Sequence, residues 1–110
     1  MIAVIASSGD SITSRIDPRF GRSFYFAVYN TIDKSLHFHL NPYREVEDWA
    51  GKSAVQWVKT QNANMVIASE MGMKIKPMFD KLQIQIIILE KSELMIFEII
   101  EMLEHYNRKV

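Results

Sequence analysis

The chain alternates between short apolar runs and polar breaks, and the period of each run predicts its element. Residues 2–7, Ile2-Ala3-Val4-Ile5-Ala6-Ser7, are almost continuously apolar, the pattern of a central strand covered on both faces. A polar stretch over 8–22 follows and predicts a long ordered loop, a kind of segment that often carries function. Phe24 to Asn30 predicts a second strand, with Phe24, Phe26 and Val28 on one face and Tyr25, Ala27 and Tyr29 on the other. Ser35 to Asn41 predicts a third, with Leu36, Phe38 and Leu40 inward and His37, His39 and Asn41 outward. The connector 31–34 is short enough for these two to pair as an antiparallel hairpin.

Beyond a polar, irregular stretch from Pro42 to Asp48 the period changes. Gly51 to Asn62 predicts a helix with Ala54, Val55 and Val58 on the sheet and a stop at Asn62-Ala63-Asn64. Met65 to Ala68 is a short buried strand. Met71 to Leu82 has helical spacing through Ile75, Met78, Phe79 and Leu82, shortened or kinked by Pro77. Ile84 to Leu89 is a further strand, and Ser92 is placed to cap a last helix from Glu93 to Arg108. In that helix Ile96, Ile99, Ile100 and Leu103 fall at i, i+3, i+4 and i+7, one stripe facing the sheet. Met95, Phe97, Met102 and Tyr106 widen the stripe, so a homodimer through this helix is one expectation and a helix wedged deep in its own domain is the other.

A meander followed by helix, strand, helix, strand, helix implies parallel strands with right-handed crossovers in the second half. The reading is α/β: one domain over residues 1–110, with a mixed five-stranded sheet and three helices. Hydrophobic residues make up 48% and charged residues 24% of the 110, and the formal net charge is zero. That balance gives no electrostatic case for nucleic-acid or anionic-membrane binding. No run is long enough to span a bilayer, and the apolar start lacks a basic leader region, so a cytoplasmic location is expected. There are no cysteines, which excludes disulfides, Cys-ligated zinc and Cys-held iron–sulfur sites.

The densest chemistry is in the loop Asp17-Pro18-Arg19-Phe20-Gly21-Arg22, which runs into the aromatic strand Ser23-Phe24-Tyr25-Phe26. Pro18 fixes its own φ and biases Asp17 toward extended geometry, while Gly21 permits a backbone angle that other residues resist. Ser8-Gly9-Asp10-Ser11 with Arg15, Arg19 and Arg22 reads as a basic rim at the carboxyl ends of the strands, where open α/β sheets bind ligands. Arginines there suit an anion. Pairing of Arg19 and Arg22 with Asp17 and Asp10, which would only stiffen the loop, is the competing reading.

Taken with the opening strand and the Ala50-Gly51 turn into a helix, this loop resembles the dinitrogenase iron-molybdenum cofactor biosynthesis family, of the NifX, NafY and NifB C-terminal type. The resemblance covers almost the whole chain. It implies a ribonuclease H-like sheet with strand order 3-2-1-4-5. It also implies a non-catalytic carrier that holds iron-molybdenum cofactor or an iron–sulfur precursor cluster and passes it to cluster-assembly proteins. On that reading Arg19 and Arg22 contact the anion, and Ser8, Gly9 and Asp10 shape the pocket. The family's turn histidine has no counterpart beside Gly51, where Trp49 precedes it as a pocket cap or packing residue.

Other candidates are thinner. His37 and His39 at i and i+2 share a strand face at roughly 6.5–7 Å between Cα atoms, so they are possible metal donors or simply a solvated pair. Gly72, before the second helix, offers backbone amides to an anion or merely starts a turn. Met71 and Met73 sit near the rim as possible thioether donors, whereas Met65, Met78, Met95 and Met102 read as core. Nuclease chemistry would need converging carboxylates, and only Asp10 and Glu70 follow adjacent strands. There is no G-x-S-x-G elbow, and His105 lies far along the chain from the loop serines. The chain therefore reads as a binding protein, with a protein-interaction or regulatory module working through the last helix as the alternative to a carrier.

Overall fold

The computed structural model describes residues 1–46, 50–91 and 93–108, with Asn107 and Arg108 described by their backbone alone. Five strands, β1 (Ile2–Ser7), β2 (Tyr25–Asn30), β3 (Leu36–Leu40), β4 (Met65–Ala68) and β5 (Gln85–Ile88), form one sheet in the order β3-β2-β1-β4-β5. Three helices complete it, α1 (Ala50–Thr60), α2 (Lys76–Lys81) and α3 (Ile96–Arg108). The expected α/β class, mixed sheet and strand order are all present. β1 pairs antiparallel with β2 and parallel with β4, β3 pairs antiparallel with β2, and β5 pairs parallel with β4. The sheet therefore changes sense across its central strand.

Alternation along the strands builds a core on each face. Val4, Ala6, Phe26, Val66 and Ala68 meet Ala54, Val55 and Val58 of α1 and Phe79 of α2. Ala3, Ile5, Ala27, Tyr29, Met65 and Ile67 meet Ile96, Ile99 and Leu103 of α3. The loop after β1 contributes Phe20 to the first core, its ring 5.3 Å from Phe26 and 5.5 Å from Phe79. Each fully buried side chain of this size contributes about 1.5–3 kcal/mol of hydrophobic stabilisation. Phe20 thus anchors the second half of that loop beneath its two arginines.

Two helices start later than expected. α2 begins at Lys76, with Pro77 in its first turn, where a missing amide hydrogen costs nothing. Ile75, Met71 and Gly72 are left outside as a loop. α3 begins three residues later than the pattern suggests, because Met95 pairs with Arg15 as an antiparallel bridge and Ile96 and Phe97 donate to Ser14 and Ile12 carbonyls at 2.8 and 2.9 Å. Glu98 Oε1 accepts the Met95 amide at 3.0 Å, completing the start of the helix in the manner of a capping box. Ser92 and Trp49, with the roles expected for them, lie outside the described residues. Met102, expected in the core, is 47% exposed.

α1 ends at Thr60 and the turn after it closes at the expected stop, where Asn62 takes a left-handed φ of 58°, the conformation that commonly closes a helix. Gln83 repeats the device after α2 at φ 58°.

Candidate functional site

A cavity of about 750 Å³ opens at the carboxyl ends of β1 and β4, the edge at which the sheet changes sense and where open α/β sheets take ligands. Three segments wall it. The loop after β1 supplies Arg19, Phe20, Gly21 and Arg22; the start of α1 supplies Gly51 and Lys52; the loop before α2 supplies Glu70, Met71 and Lys74. The first and third are joined directly, because Arg19 and Glu70 pair as an isolated parallel bridge.

Two glycines bring the walls together. A Cβ on Gly21 would stand 3.1 Å from Gly51 Cα, and one on Gly51 would stand 2.7 Å from Ile75 Cγ2. No glycine here has a positive φ. Gly21 is therefore needed for close approach and not, as its place in the loop suggests, for an unusual backbone angle.

The lining is cationic over an apolar floor. Arg19, Arg22, Lys52 and Lys74 stand against one carboxylate, Glu70, among the described residues, with Phe20, Ile75 and Met78 beneath. Such a surface attracts a bulky anion: the charges set the field, and the apolar floor limits water and raises their effect. With no cysteine in the sequence, and no group of three or more His, Asp or Glu able to hold a metal ion among the described residues, the donors fit outer contact with an anion better than direct ligation of a metal. Met71 and Met78 are the soft donors on the lining among the described residues.

Buried polar groups hold the arginine loop in shape. Asp17 is 2% exposed. Its Oδ1 accepts the Arg19 amide at 3.0 Å and its Oδ2 accepts the Phe24 amide at 3.2 Å, while its own amide donates to the Ala6 carbonyl at 2.8 Å. The Arg19 Nε stands 3.8 Å from Oδ1, a contact that water screens heavily. Arg22 Nη1 donates to the Arg44 carbonyl at 3.0 Å. Asp17 thus serves mainly the backbone, and Arg19 and Arg22 both still line the cavity.

The other expected residues lie elsewhere. Ser8, Gly9 and Asp10 do not line the cavity. Their stretch turns toward α3, with Ser8 N donating to the Arg15 carbonyl at 2.9 Å and Ser7 Oγ to the Gly9 carbonyl at 2.6 Å. His37 and His39 sit exposed on the edge strand β3, on the face that carries α1. His39 meets the Trp57 ring edge-on at 5.3 Å. His37 lies near Asp33, whose carboxyl is held below the usual range first by hydrogen bonding from Ser35 and last by the histidine's charge. Gly72 and Met71 do line the cavity, whereas Met73 is 85% exposed and does not.

Sequence reasoning passed over Lys52 and Lys74. Their signal was positional: Lys52 directly follows Gly51 at the start of α1, and Lys74 comes two residues after Gly72 on the approach to α2. It also placed Asn41 outward, whereas Asn41 is buried, and its amide Nδ2 donates to the Gly21 and Ser23 carbonyls at 3.1 and 2.9 Å.

Residues 1–105 match the sequence profile of a family described as dinitrogenase iron-molybdenum cofactor. A search of curated proteins finds no match. Among solved structures, the apo form of the orange protein from Desulfovibrio gigas superimposes with a TM-score of 0.87 at 18% identity, over 96% of this chain and 88% of that one. A NifB candidate from Thermotoga gives 0.78 at 21% identity over 94% and 87%. A candidate dinitrogenase from Methanocaldococcus jannaschii gives 0.62 at 16% identity over 99% and 89%. These likenesses establish the fold, and the profile match establishes the family: the chain belongs to the dinitrogenase iron-molybdenum cofactor family.

Proposed function

We propose that this member of the dinitrogenase iron-molybdenum cofactor family is a non-catalytic carrier that holds a preassembled anionic metallocluster and passes it to a cluster-assembly partner. The cargo is iron-molybdenum cofactor or an iron–sulfur precursor of it. The observation that carries the reading is the cavity at the carboxyl ends of β1 and β4, where four basic side chains from three segments surround an apolar floor. Arg19 and Arg22 make the main anion contacts, with Lys52 and Lys74 closing the far side. The absence of cysteine fits a cargo gripped by charge at its outer atoms and released without breaking protein–metal bonds. His37 and His39 are retained as an auxiliary metal-binding pair on β3, outside the cavity.

The test is cluster retention by the Arg19→Ala/Arg22→Ala variant. A loss of about tenfold to a hundredfold in affinity is expected from removing two charge-assisted contacts, together with a shallower dependence on salt. Unchanged retention in a folded variant overturns the reading.

A second reading, an interaction module acting through α3, is favoured by one observation. Phe97, Met102 and Tyr106 are 37%, 47% and 50% exposed along that helix, and Leu94, Glu98, Glu101, Met102, His105 and Tyr106 line one groove beside it. A second copy of the chain is the occupant this surface suits, because antiparallel α3 helices would set Glu98 and Glu101 opposite His105. Sedimentation decides it: a dimer that Met102→Glu dissociates supports this reading, and a monomer at every concentration removes it.

A further inference from the structure

We infer that Asn41 is a positioning residue for the cavity, one that fixes where the Arg22 guanidinium stands; this rests on the anion-carrier reading of that site. Asn41 follows β3 and is 4% exposed. Its Nδ2 donates to the carbonyls of Gly21 at 3.1 Å and Ser23 at 2.9 Å, the two residues that bracket Arg22. Its Oδ1 accepts the Tyr43 amide at 2.9 Å, and its own amide donates to the Phe24 carbonyl at 3.0 Å. A carboxamide is the short side chain that offers two donors and an acceptor in one plane. Aspartate in its place would face two carbonyls with no hydrogen to give them.

The same segment also holds the far end of Arg22. Its Nη1 donates to the carbonyl of Arg44 at 3.0 Å, three residues past Asn41. The Arg44 guanidinium in turn lies over the Phe24 ring, 3.5 Å from its centroid. Arg22 is therefore held from both ends, its flanking main chain by Asn41 and its guanidinium by the Arg44 carbonyl, with Arg44 itself seated on Phe24. A long side chain held in this way loses less freedom when an anion arrives, which favours binding without adding a contact. Asn41 itself does not line the cavity, so its effect passes through Arg22.

A double-substitution cycle tests this. The probe is a synthetic thiolate-capped [4Fe–4S] dianion, titrated anaerobically by absorbance. Asn41→Ala is expected to weaken probe binding by about tenfold in the wild-type background but by less than about twofold once Arg22→Ala is present. In a Lys74→Ala background the full loss is expected to remain. Ile99→Ala, on the opposite face of the sheet, lowers the unfolding midpoint without changing probe affinity. Equal losses in the Arg22 and Lys74 backgrounds overturn the inference.

Where Asn41→Ala fails to fold, Asn41→Gln, which displaces the amide by one methylene, replaces it. A second measurement needs no ligand. The Arg22 Nε–H resonance is expected to lose order in Asn41→Gln while that of Arg19 keeps its own. An unchanged Arg22 signal overturns the inference whatever the probe does. A wild-type protein that ignores the probe overturns the carrier reading and leaves the resonance to decide the positioning.

Discussion

The two halves of the loop between β1 and β2 begin from similar material and end in different employment. Residues 8–16 and 17–22 are both polar and both carry arginine. The first half is claimed by α3: Ile12 and Ser14 carbonyls receive the Phe97 and Ile96 amides, and Ile16 N donates to the Leu94 carbonyl at 2.8 Å. These bonds satisfy amides that the start of a helix leaves without partners. The second half is claimed by the other face of the sheet. Phe20 and Asp17 are buried there, and the arginines between and beyond them reach the cavity lining. Charge at the carboxyl edge of a sheet is thus not enough to bring a side chain to the cavity. What decides is whether the neighbouring backbone needs the loop's own polar groups for itself.

That contrast is sharpened most strongly at Asp17. Replacing Asp17 with Ala leaves the part-buried Arg19 and Phe24 amides without their acceptor, and a loss of roughly 1–3 kcal/mol in unfolding free energy is expected by urea titration. Probe uptake should fall with it even where the protein stays folded. A near-neutral Asp17→Ala would mean that the second half of the loop is not held as described.

The glycines separate the halves next. Gly51→Ala drives a Cβ to 2.7 Å from Ile75 Cγ2, a β-branched neighbour with little room to turn. A cost of about 1–3 kcal/mol is expected, with weakened anion uptake, because the start of α1 must back away from the loop. Gly9→Ala meets Ser14 Oγ at 2.5 Å, an atom that a rotamer change can move, although that change would cost the Ser11 amide its acceptor. About 1 kcal/mol is expected there, with cavity binding unchanged. Loss of binding in Gly9→Ala would erase the distinction between the halves.

A smaller effect appears at alkaline pH on the α3 face. Tyr29 is raised to about 12, first by burial and then by its hydrogen bond to Glu104, which Lys34 also contacts. The neutral phenol is favoured in the folded state. Its stabilising contribution is therefore complete below the ordinary value near 10 and is lost as pH rises toward 12. Hydrogen exchange in α3 is expected to quicken across that window before exchange in β1 does, and a Tyr29→Phe variant should lack the step. The smallest change is expected for Ser8→Ala/Asp10→Ala, which should alter probe affinity by less than about twofold. A larger loss would return those residues to the site.

Much of the fold is legible in the sequence because it is written in period. Met65 to Ala68 begins and ends as its apolar run does, and the two faces of β2 sort into the two cores as alternation requires. Boundaries fail where a long-range partner intervenes: residues 93–95 carry helical spacing but are drawn into contact with the loop at Arg15. Arg19 and Arg22 were legible as rim residues because the flanking Pro, Phe and Gly mark an ordered loop. Asn41 was not, because strand alternation assigns it to solvent, while its burial comes from a segment some twenty residues earlier folding over it. Lys52 and Lys74 each look like ordinary surface lysines. Only the meeting of three loops, through Gly21 and Gly51, gives them a common object.

The most direct test of the central claim is iron and acid-labile sulfide analysis of the wild-type protein after anaerobic incubation with an iron–sulfur precursor cluster and desalting. Near-stoichiometric iron and sulfide on the protein, lost when Arg19 and Arg22 are both replaced by Ala, is the predicted result. A metal-free wild-type protein would contradict the carrier account and turn attention to α3 as the working surface.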